Sequence, residues 1–204
     1  MCLMTDKRPT YHVTINRRRL TPTRFVAWGF RFSILMVMVS LGANVLSQEL
    51  VQSEGRLKSA FIFNFAKFVE WPAEAFSEPN SPLVVCIVGK DTLGSTLDQV
   101  IQGKALNGRP VIVRRLAVGQ ETRTCHILFV SERNGGNLSK ILQSVRGASI
   151  LTVGEGEGFL NAGGIIRFVS VQNRLQFEIN SANAGQAGLK ISSKLLQLSR
   201  RPNE

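Results

Sequence analysis

The chain has 204 residues, of which 44% are hydrophobic and 19% charged, with 25 basic and 14 acidic side chains. This balance is typical of a globular domain and excludes a disordered or fibrous chain. The formal charge of +11 would suit a nucleic-acid-binding protein, but seven basic residues against one acidic residue lie in the first 48 positions. The other basic residues are scattered and no aromatic residues alternate with them, so we expect no nucleic-acid partner.

The N-terminal segment has the three parts of an export signal. A long basic region ends at Arg31, an apolar run follows over 32–46, and the small residues Val45 and Ser47 precede a cleavage position. We therefore predict that 1–47 is a signal peptide, cleaved near Ser47, and that the protein is periplasmic. The alternative is an N-terminal anchor retained in the inner membrane, although the apolar run of 15 residues is shorter than the roughly 20 that span a bilayer.

The remaining chain reads as one domain over 48–200, followed by a disordered tail at 201–204. Apolar residues at helical spacing predict an opening helix over 49–70, which Pro72 ends. A continuous apolar run predicts that Leu83–Val88 is a strand buried on both faces. Further strands are predicted at Pro110–Leu116, Cys125–Val130 and Ser149–Val153, with helices at Thr92–Gln102 and Leu138–Val145.

The end of the domain predicts an antiparallel hairpin and a helix. The hairpin strands are Ile165–Val171 and Arg174–Ile179, and the last helix, capped by Ser181 or Asn183, runs to Leu198. Alternation of strands and helices before the hairpin predicts parallel βαβ units. The predicted fold class is therefore α/β: a single domain with a mixed, mostly parallel sheet flanked by helices, and a C-terminal hairpin and helix.

Three cysteines occur in the chain, and Cys2 lies in the predicted signal peptide. Cys86 and Cys125 remain, an even number in an oxidising compartment, which favours one structural disulfide. The alternatives are a catalytic or metal-binding pair and two free buried thiols. A metal site would lack further ligands, because His126 is the one histidine of the predicted mature chain.

No residues form a recognisable catalytic set. Cys125 and His126 are neighbours in a predicted strand, so their side chains point to opposite faces and cannot form a nucleophile–base pair. The glycine-rich loop 154–158 follows a strand as dinucleotide-binding loops do, but no helix opens after it. We interpret this loop as surface, with a partner-contact loop as the alternative. We accordingly predict that the protein is not an enzyme and has no cofactor or metal.

Two end segments resemble the YfiR-like family of periplasmic proteins. The segment Lys58–Pro72, with the sequence KSAFIFNFAKFVEWP, resembles the family's opening helix, and Phe177–Leu196 resembles its closing segment. Between them, shorter motifs follow in the family's order, namely Cys86–Gly89, Cys125–Ser131 and Ile150–Gly154. The resemblance covers about 55–200, which is nearly all of the predicted mature chain.

The resemblance implies a regulatory role. The best-understood member is exported, forms homodimers and represses an inner-membrane diguanylate cyclase by binding its periplasmic sensor region. An outer-membrane lipoprotein sequesters that member, which releases the cyclase, raises cyclic di-GMP and promotes biofilm. The resemblance also implies a disulfide between Cys86 and Cys125, whereas a second cysteine pair of that member has no counterpart here.

We therefore expect a periplasmic regulator that represses a membrane diguanylate cyclase or similar sensor, with a lipoprotein as second partner and a homodimeric state. Aromatic residues dominate many protein interfaces. The expected contact residues are Phe61, Phe63, Phe68, Glu155, Glu157 and Phe159. For each phenylalanine, a place in the core is the competing interpretation. The alternative function is a periplasmic small-molecule binding or sensing module that serves an envelope receptor or transporter.

Overall fold

The computed structural model describes residues 53–131, 137–172 and 174–200. Over these residues the chain forms a seven-stranded mixed sheet with helices packed on it, and a separate two-stranded pair. The predicted α/β fold class is therefore confirmed. The predicted signal peptide at 1–47 and the tail at 201–204 lie outside the described residues.

The helices and strands are numbered here in chain order. The helices are α1 at 53–67, α2 at Ser95–Ile101, α3 at Leu138–Ser144, α4 at Ser181–Gln186 and α5 at Ser193–Leu198, with a 3-10 turn at Ala73–Ala75. The strands are β1 at Val69–Glu70, β2 at Leu83–Val88, β3 at Ala105–Leu106, β4 at Arg109–Leu116, β5 at Ile127–Val130, β6 at Leu151–Glu155, β7 at Ile166–Val171, β8 at Arg174–Ile179 and β9 at Lys190–Ile191.

The large sheet has the strand order β3-β4-β2-β5-β6-β7-β8. Its central strands β4, β2, β5, β6 and β7 run parallel, as the alternating pattern predicted. Strands β3 and β8 pair antiparallel at the two edges, so the sheet is mixed. The predicted hairpin is confirmed, and its first strand also extends the parallel part of the sheet.

The apolar run of β2 is buried throughout because both faces of the sheet are covered. On one face, Val85 and Ile87 belong to a core with the buried side of α1. On the other face, Cys86 and Val88 belong to a second core beneath α3. Four phenylalanine rings, from Phe61, Phe65, Phe168 and Phe177, hold α1 to the hairpin with centroid separations of 4.9 to 6.1 Å.

A disulfide joins Cys86 to Cys125, with Cα atoms 5.8 Å apart. The disulfide prediction is therefore confirmed. Residues 117–126, all described, connect β4 to β5 without a helix, although the two strands are parallel neighbours of β2. Because Cys125 lies at the end of this connection and Cys86 in β2, the disulfide fixes the connection to the sheet.

Two short strands were not predicted. Val69 and Glu70, expected within the opening helix, leave it and pair with Ile191 and Lys190. The final helix is likewise interrupted, because Gly188 has φ +69°, a conformation that ends a helix. Strand β9 follows, and a separate helix, α5, begins at Ser193.

The predicted cap of the last helix was wrong. Asn180, one residue before the predicted cap position, accepts a hydrogen bond from the Asn183 N–H and caps α4. Ser192 accepts one from the Leu195 N–H and caps α5. Each cap accepts a hydrogen bond from one of the backbone N–H groups that the first turn of its helix leaves unpaired.

Candidate functional site

A cleft lies beside the start of α1, where strands β2 and β6 end. Its volume is about 760 Å³, within the range of small-molecule sites. Open α/β sheets bind ligands beyond the carboxyl ends of their strands, which makes this cleft the candidate site. We call it the α1 cleft. Its charged lining residues are Glu54, Lys58, Lys90, Asp91, Glu155, Glu157, Arg167, Glu178 and Arg200.

Lys58 is the central cation on the α1 side of the cleft. Its ammonium group lies 2.5 Å from a carboxylate oxygen of Glu155 and 2.5 Å from one of Glu54. Burial alone would lower the pKa of Lys58, but the hydrogen bonds to Glu155 and Glu54 outweigh it and hold the pKa above its ordinary value. The Glu155 side chain is mostly buried, and its ion pair with Lys58 ties the 154–158 loop to α1.

A second ion-paired group lies on the hairpin side. The Glu178 side chain is only 3% exposed, and its carboxylate accepts hydrogen bonds from the Arg167 guanidinium at 2.5 and 3.1 Å. Arg200 lies 3.9 Å from the other oxygen of Glu178, and the Arg200 N–H donates to the Phe177 carbonyl. The group fixes the end of the described chain to β8. Sequence analysis missed it, although one charge between the apolar Phe177 and Ile179 was an available signal.

The three phenylalanines that were expected on the partner-contact surface differ in their exposure. Phe61 and Phe68 are partly exposed while packing against the core. Phe63 is buried, with the ammonium groups of Lys67 and Lys104 4.7 and 4.5 Å from its ring centre. The expectation that Phe63 offers contact surface is therefore corrected, because two lysines cover the ring.

Helix α1 also carries two neighbouring apolar side chains that are at least partly exposed. Leu57 is 46% exposed and lies one turn before Phe61, so the two side chains share one helix face. Sequence analysis placed no role on Leu57, because a leucine at helical spacing indicates a core position. We call Leu57 and Phe61 the α1 strip.

Phe159 does not belong to the surface. Its side chain has no exposed area, and its ring lies between the backbones of Gly154 and Gly164. The expectation that Phe159 is a contact residue is therefore wrong, because the loop folds inward and uses this ring as a core residue. Glu157, in the same loop, is exposed and lines the α1 cleft.

His126 lies away from the cleft, buried against the 3-10 turn, and its ring stacks on Phe76 with centroids 4.4 Å apart. It is not paired with Cys125, which is bonded to Cys86. Among residues 53–131, 137–172 and 174–200, no cluster of three or more histidine, cysteine or acidic residues is arranged to hold a metal ion. None of the helices in these ranges combines the length and apolar character needed to cross a membrane.

The chain matches a known protein family. A family model described as YfiR/HmsC-like matches residues 55–200, the span over which the sequence motifs showed the resemblance. A comparison with curated proteins found no match. Both the α1 cleft and the α1 strip lie within the matched span, apart from Glu54 at its border.

Proposed function

Since the chain belongs to the YfiR/HmsC-like family, whose members are periplasmic regulators linked to cyclic di-GMP signalling, we propose that it represses a membrane sensor by binding the sensor's periplasmic region. The sensor is a diguanylate cyclase or a receptor of similar design. Family members bind a membrane sensor partner and are regulatory rather than catalytic. Export through a signal peptide at 1–47, cleaved near Ser47, places the protein in the same compartment as that region.

Repression of this kind is a binding equilibrium. The protein shifts a two-state receptor toward its inactive form only if it binds that form more tightly. A coupling free energy of about 1–3 kcal/mol is typical of such regulation. The proposed activity therefore requires a surface that buries apolar area on contact, and it requires no reacting groups.

The α1 strip is the observation that carries the proposal. Leu57 is nearly half exposed while its neighbours Lys58 and Ser59 are buried. Exposed apolar side chains at a rim of charged groups are typical of interface centres. Phe61, Phe68 and Glu157 are the further contact residues of this surface. A lipoprotein of the outer membrane that competes for the same surface, and a homodimeric state, belong to the same proposal.

The test is a pull-down from detergent-solubilised envelopes with the exported protein as bait. Leu57→Glu places a charge in the α1 strip, and Val118→Glu is its matched control, because Val118 is 45% exposed and lies in the connection between β4 and β5. We expect the wild type and Val118→Glu to retain a membrane protein with a cytoplasmic cyclase domain. We expect Leu57→Glu to lose it, and cells carrying Leu57→Glu to contain more cyclic di-GMP.

If Leu57→Glu still retained the cyclase, the α1 strip would not be the surface that contacts it. Equal loss by both variants would show a general effect of surface charge. Recovery of no membrane protein by folded wild-type bait would contradict the repressor function itself.

The volume and mixed charges of the α1 cleft favour a second candidate function, that of a small-molecule sensing module. A thermal-shift screen against periplasmic metabolites tests it, because a ligand at a hundred times its dissociation constant stabilises the folded state by about 2.7 kcal/mol. We expect Lys58→Met to abolish any such shift. If no metabolite raised the melting temperature, the small-molecule function would be contradicted and only the regulatory function would remain.

A further inference from the structure

Within the described part of the chain, no strand pairs with most of the outer edge of β4. The strand runs from Arg109 to Leu116, but its outer neighbour β3 pairs only with Arg109 and Pro110. On its inner side, β4 pairs with β2 from Val111 to Leu116. In the sheet formed by the described residues, the five residues from 112 to 116 therefore lie at an open edge.

The backbone groups that face outward can be identified. The Val111 N–H donates to the Lys104 carbonyl, away from β2, whereas the Leu116 carbonyl accepts from Gly89 at the end of β2. Backbone groups alternate between the two sides of a strand, so Val113 and Arg115 share the outward direction of Val111. Among the described residues, no backbone group bonds Val113 or Arg115 on that side. Toward the described part of the chain, each therefore has one donor and one acceptor without a bond.

Side chains beside this edge differ between the two faces of the sheet. Val113 packs against the α1 core, so an added strand would meet an apolar neighbour on that face. Arg115, also on that face, is already bound to the carboxylates of Asp91 and Asp98. Arg114, on the opposite face, is exposed and has one long contact, 3.4 Å to the Thr124 hydroxyl. It is the cation that a new strand would meet.

Charge decides which strand fits. A second copy of the protein could add its own β4 antiparallel to this edge. If both Val113 and Arg115 took part, Val113 would pair with Arg115 of the other copy. The two Arg114 side chains would then lie directly opposite each other. Like charges at opposing positions destabilise a strand pair. A segment with carboxylates on the Arg114 face and apolar residues on the Val113 face would instead be favoured by both contacts.

We propose that the open edge of β4 binds an extended, acidic segment of a partner protein by strand addition. The partner segment alternates acidic and apolar residues, pairs its backbone with Val113 and Arg115, and directs its carboxylates toward Arg114. This surface is separate from the α1 strip, so the protein can engage two polypeptides at once.

The test uses fluorescent peptides of alternating valine with glutamate or with lysine, and the protein purified from the periplasm. We expect anisotropy to show binding of the glutamate peptide, about tenfold tighter than that of the lysine peptide. Hydrogen exchange should slow within 109–116 when the glutamate peptide is bound. Val113→Pro should abolish binding, because it removes an outward N–H that makes no bond within the protein. Val113→Thr, which keeps this N–H, is the matched control.

Arg114→Glu provides a second variant that leaves the backbone intact, and it should reverse the preference between the two peptides. This variant decides the question if Val113→Pro does not fold. Equal affinity for both peptides, absence of binding, or protection outside 109–116 would overturn the proposal. So would sedimentation showing a wild-type dimer that Val113→Pro converts to a monomer, since the occupant would then be a second copy.

Discussion

His126 and Val84 are hydrogen-bonded in both directions across the sheet. The Val84 N–H donates to Nδ1 of His126 at 3.1 Å, and the His126 N–H donates to the Val84 carbonyl at 2.9 Å. Nε2 lies 3.0 Å from the Ala75 carbonyl and donates to it. A ring that accepts at one nitrogen and donates at the other is neutral. The bond from Val84 therefore exists only while the ring is uncharged, because a protonated Nδ1 cannot accept it.

This arrangement predicts that acid destabilises the protein through His126. Burial lowers the pKa of His126 below its ordinary value of 6.5, and the charge of Arg109 adds to this effect, against the opposing bond to Ala75. Below about pH 6.5, His126 is therefore protonated in the unfolded chain but stays neutral in the folded protein. The free energy of unfolding should fall with decreasing pH, by at most about 1.4 kcal/mol per pH unit, until the folded-state pKa is reached.

Urea unfolding of the wild type and His126→Gln at about pH 7.5 and pH 5.5 measures this contribution. Glutamine keeps an acceptor and a donor but does not titrate in this range, so the variant should lose less stability on acidification. Carboxylates titrate equally in both proteins and cancel in the difference. Parallel pH profiles would contradict the role given to His126.

Removal of the disulfide should cost much stability. It closes a loop of sequence separation 39, for which the chain-entropy model gives about 4 kcal/mol. We expect Cys86→Ala/Cys125→Ala to lower the free energy of unfolding by about this amount in urea titration. Wild type reduced with a thiol should unfold at the same urea concentration as the variant. A variant as stable as the oxidised protein would show that the connection holds its place without the bond.

Gly154→Ala and Gly164→Ala should each destabilise the protein by about 1–3 kcal/mol. A methyl group at either position would overlap the Phe159 ring, which fills the space between the two backbones. Gly185→Ala is the matched control, because a methyl group there meets nothing within 4 Å. Thermal denaturation of the three variants is the measurement. Combining Gly154→Ala with Phe159→Leu should cost less than the sum of the two changes, since both act on one contact.

Two arginines test how burial changes the value of an ion pair. Arg167→Met leaves the buried Glu178 carboxylate with only the distant Arg200, and we expect a loss of about 3 kcal/mol in the free energy of unfolding. Arg115→Met removes the ion pairs to Asp91 and Asp98 from an arginine side chain that is 42% exposed, and we expect a loss below about 1 kcal/mol. Arg167→Met/Glu178→Leu should recover most of the first loss. Equal losses for the two single variants would contradict this ranking.

Sequence analysis predicted the large elements because their physical causes are local. A six-residue apolar run such as β2 has few alternatives to a buried strand, and Asn107-Gly108 has the backbone freedom that its tight turn requires. Strands β1 and β9 have two residues each, too few for a period to be visible. Their pairing depends on contacts between distant parts of the chain, which local pattern does not contain.

The candidate site was less predictable for the same reason. The helical period of α1 identified its apolar residues, but it could not show that Leu57 faces outward. It also could not show that Phe63 is covered by Lys104, a residue that follows α2 in the chain. The loop at 154–158 was interpreted as surface because a glycine-rich segment that carries two glutamates is typical of an exposed turn. Its burial of Phe159 depends on Gly164, a residue on the other side of the loop.

The disulfide also makes the stability of the fold depend on the redox state of its surroundings. In the family's compartment, the periplasm, oxidation closes the connection between β4 and β5; in a reducing cytoplasm the same thiols stay apart. Without the bond the fold is weaker by about 4 kcal/mol, so under the proposed export the reduced chain stays closer to the unfolded form that translocation through a membrane requires. Under the proposed function, the protein would reach its full stability in the compartment that also holds the sensor's periplasmic region.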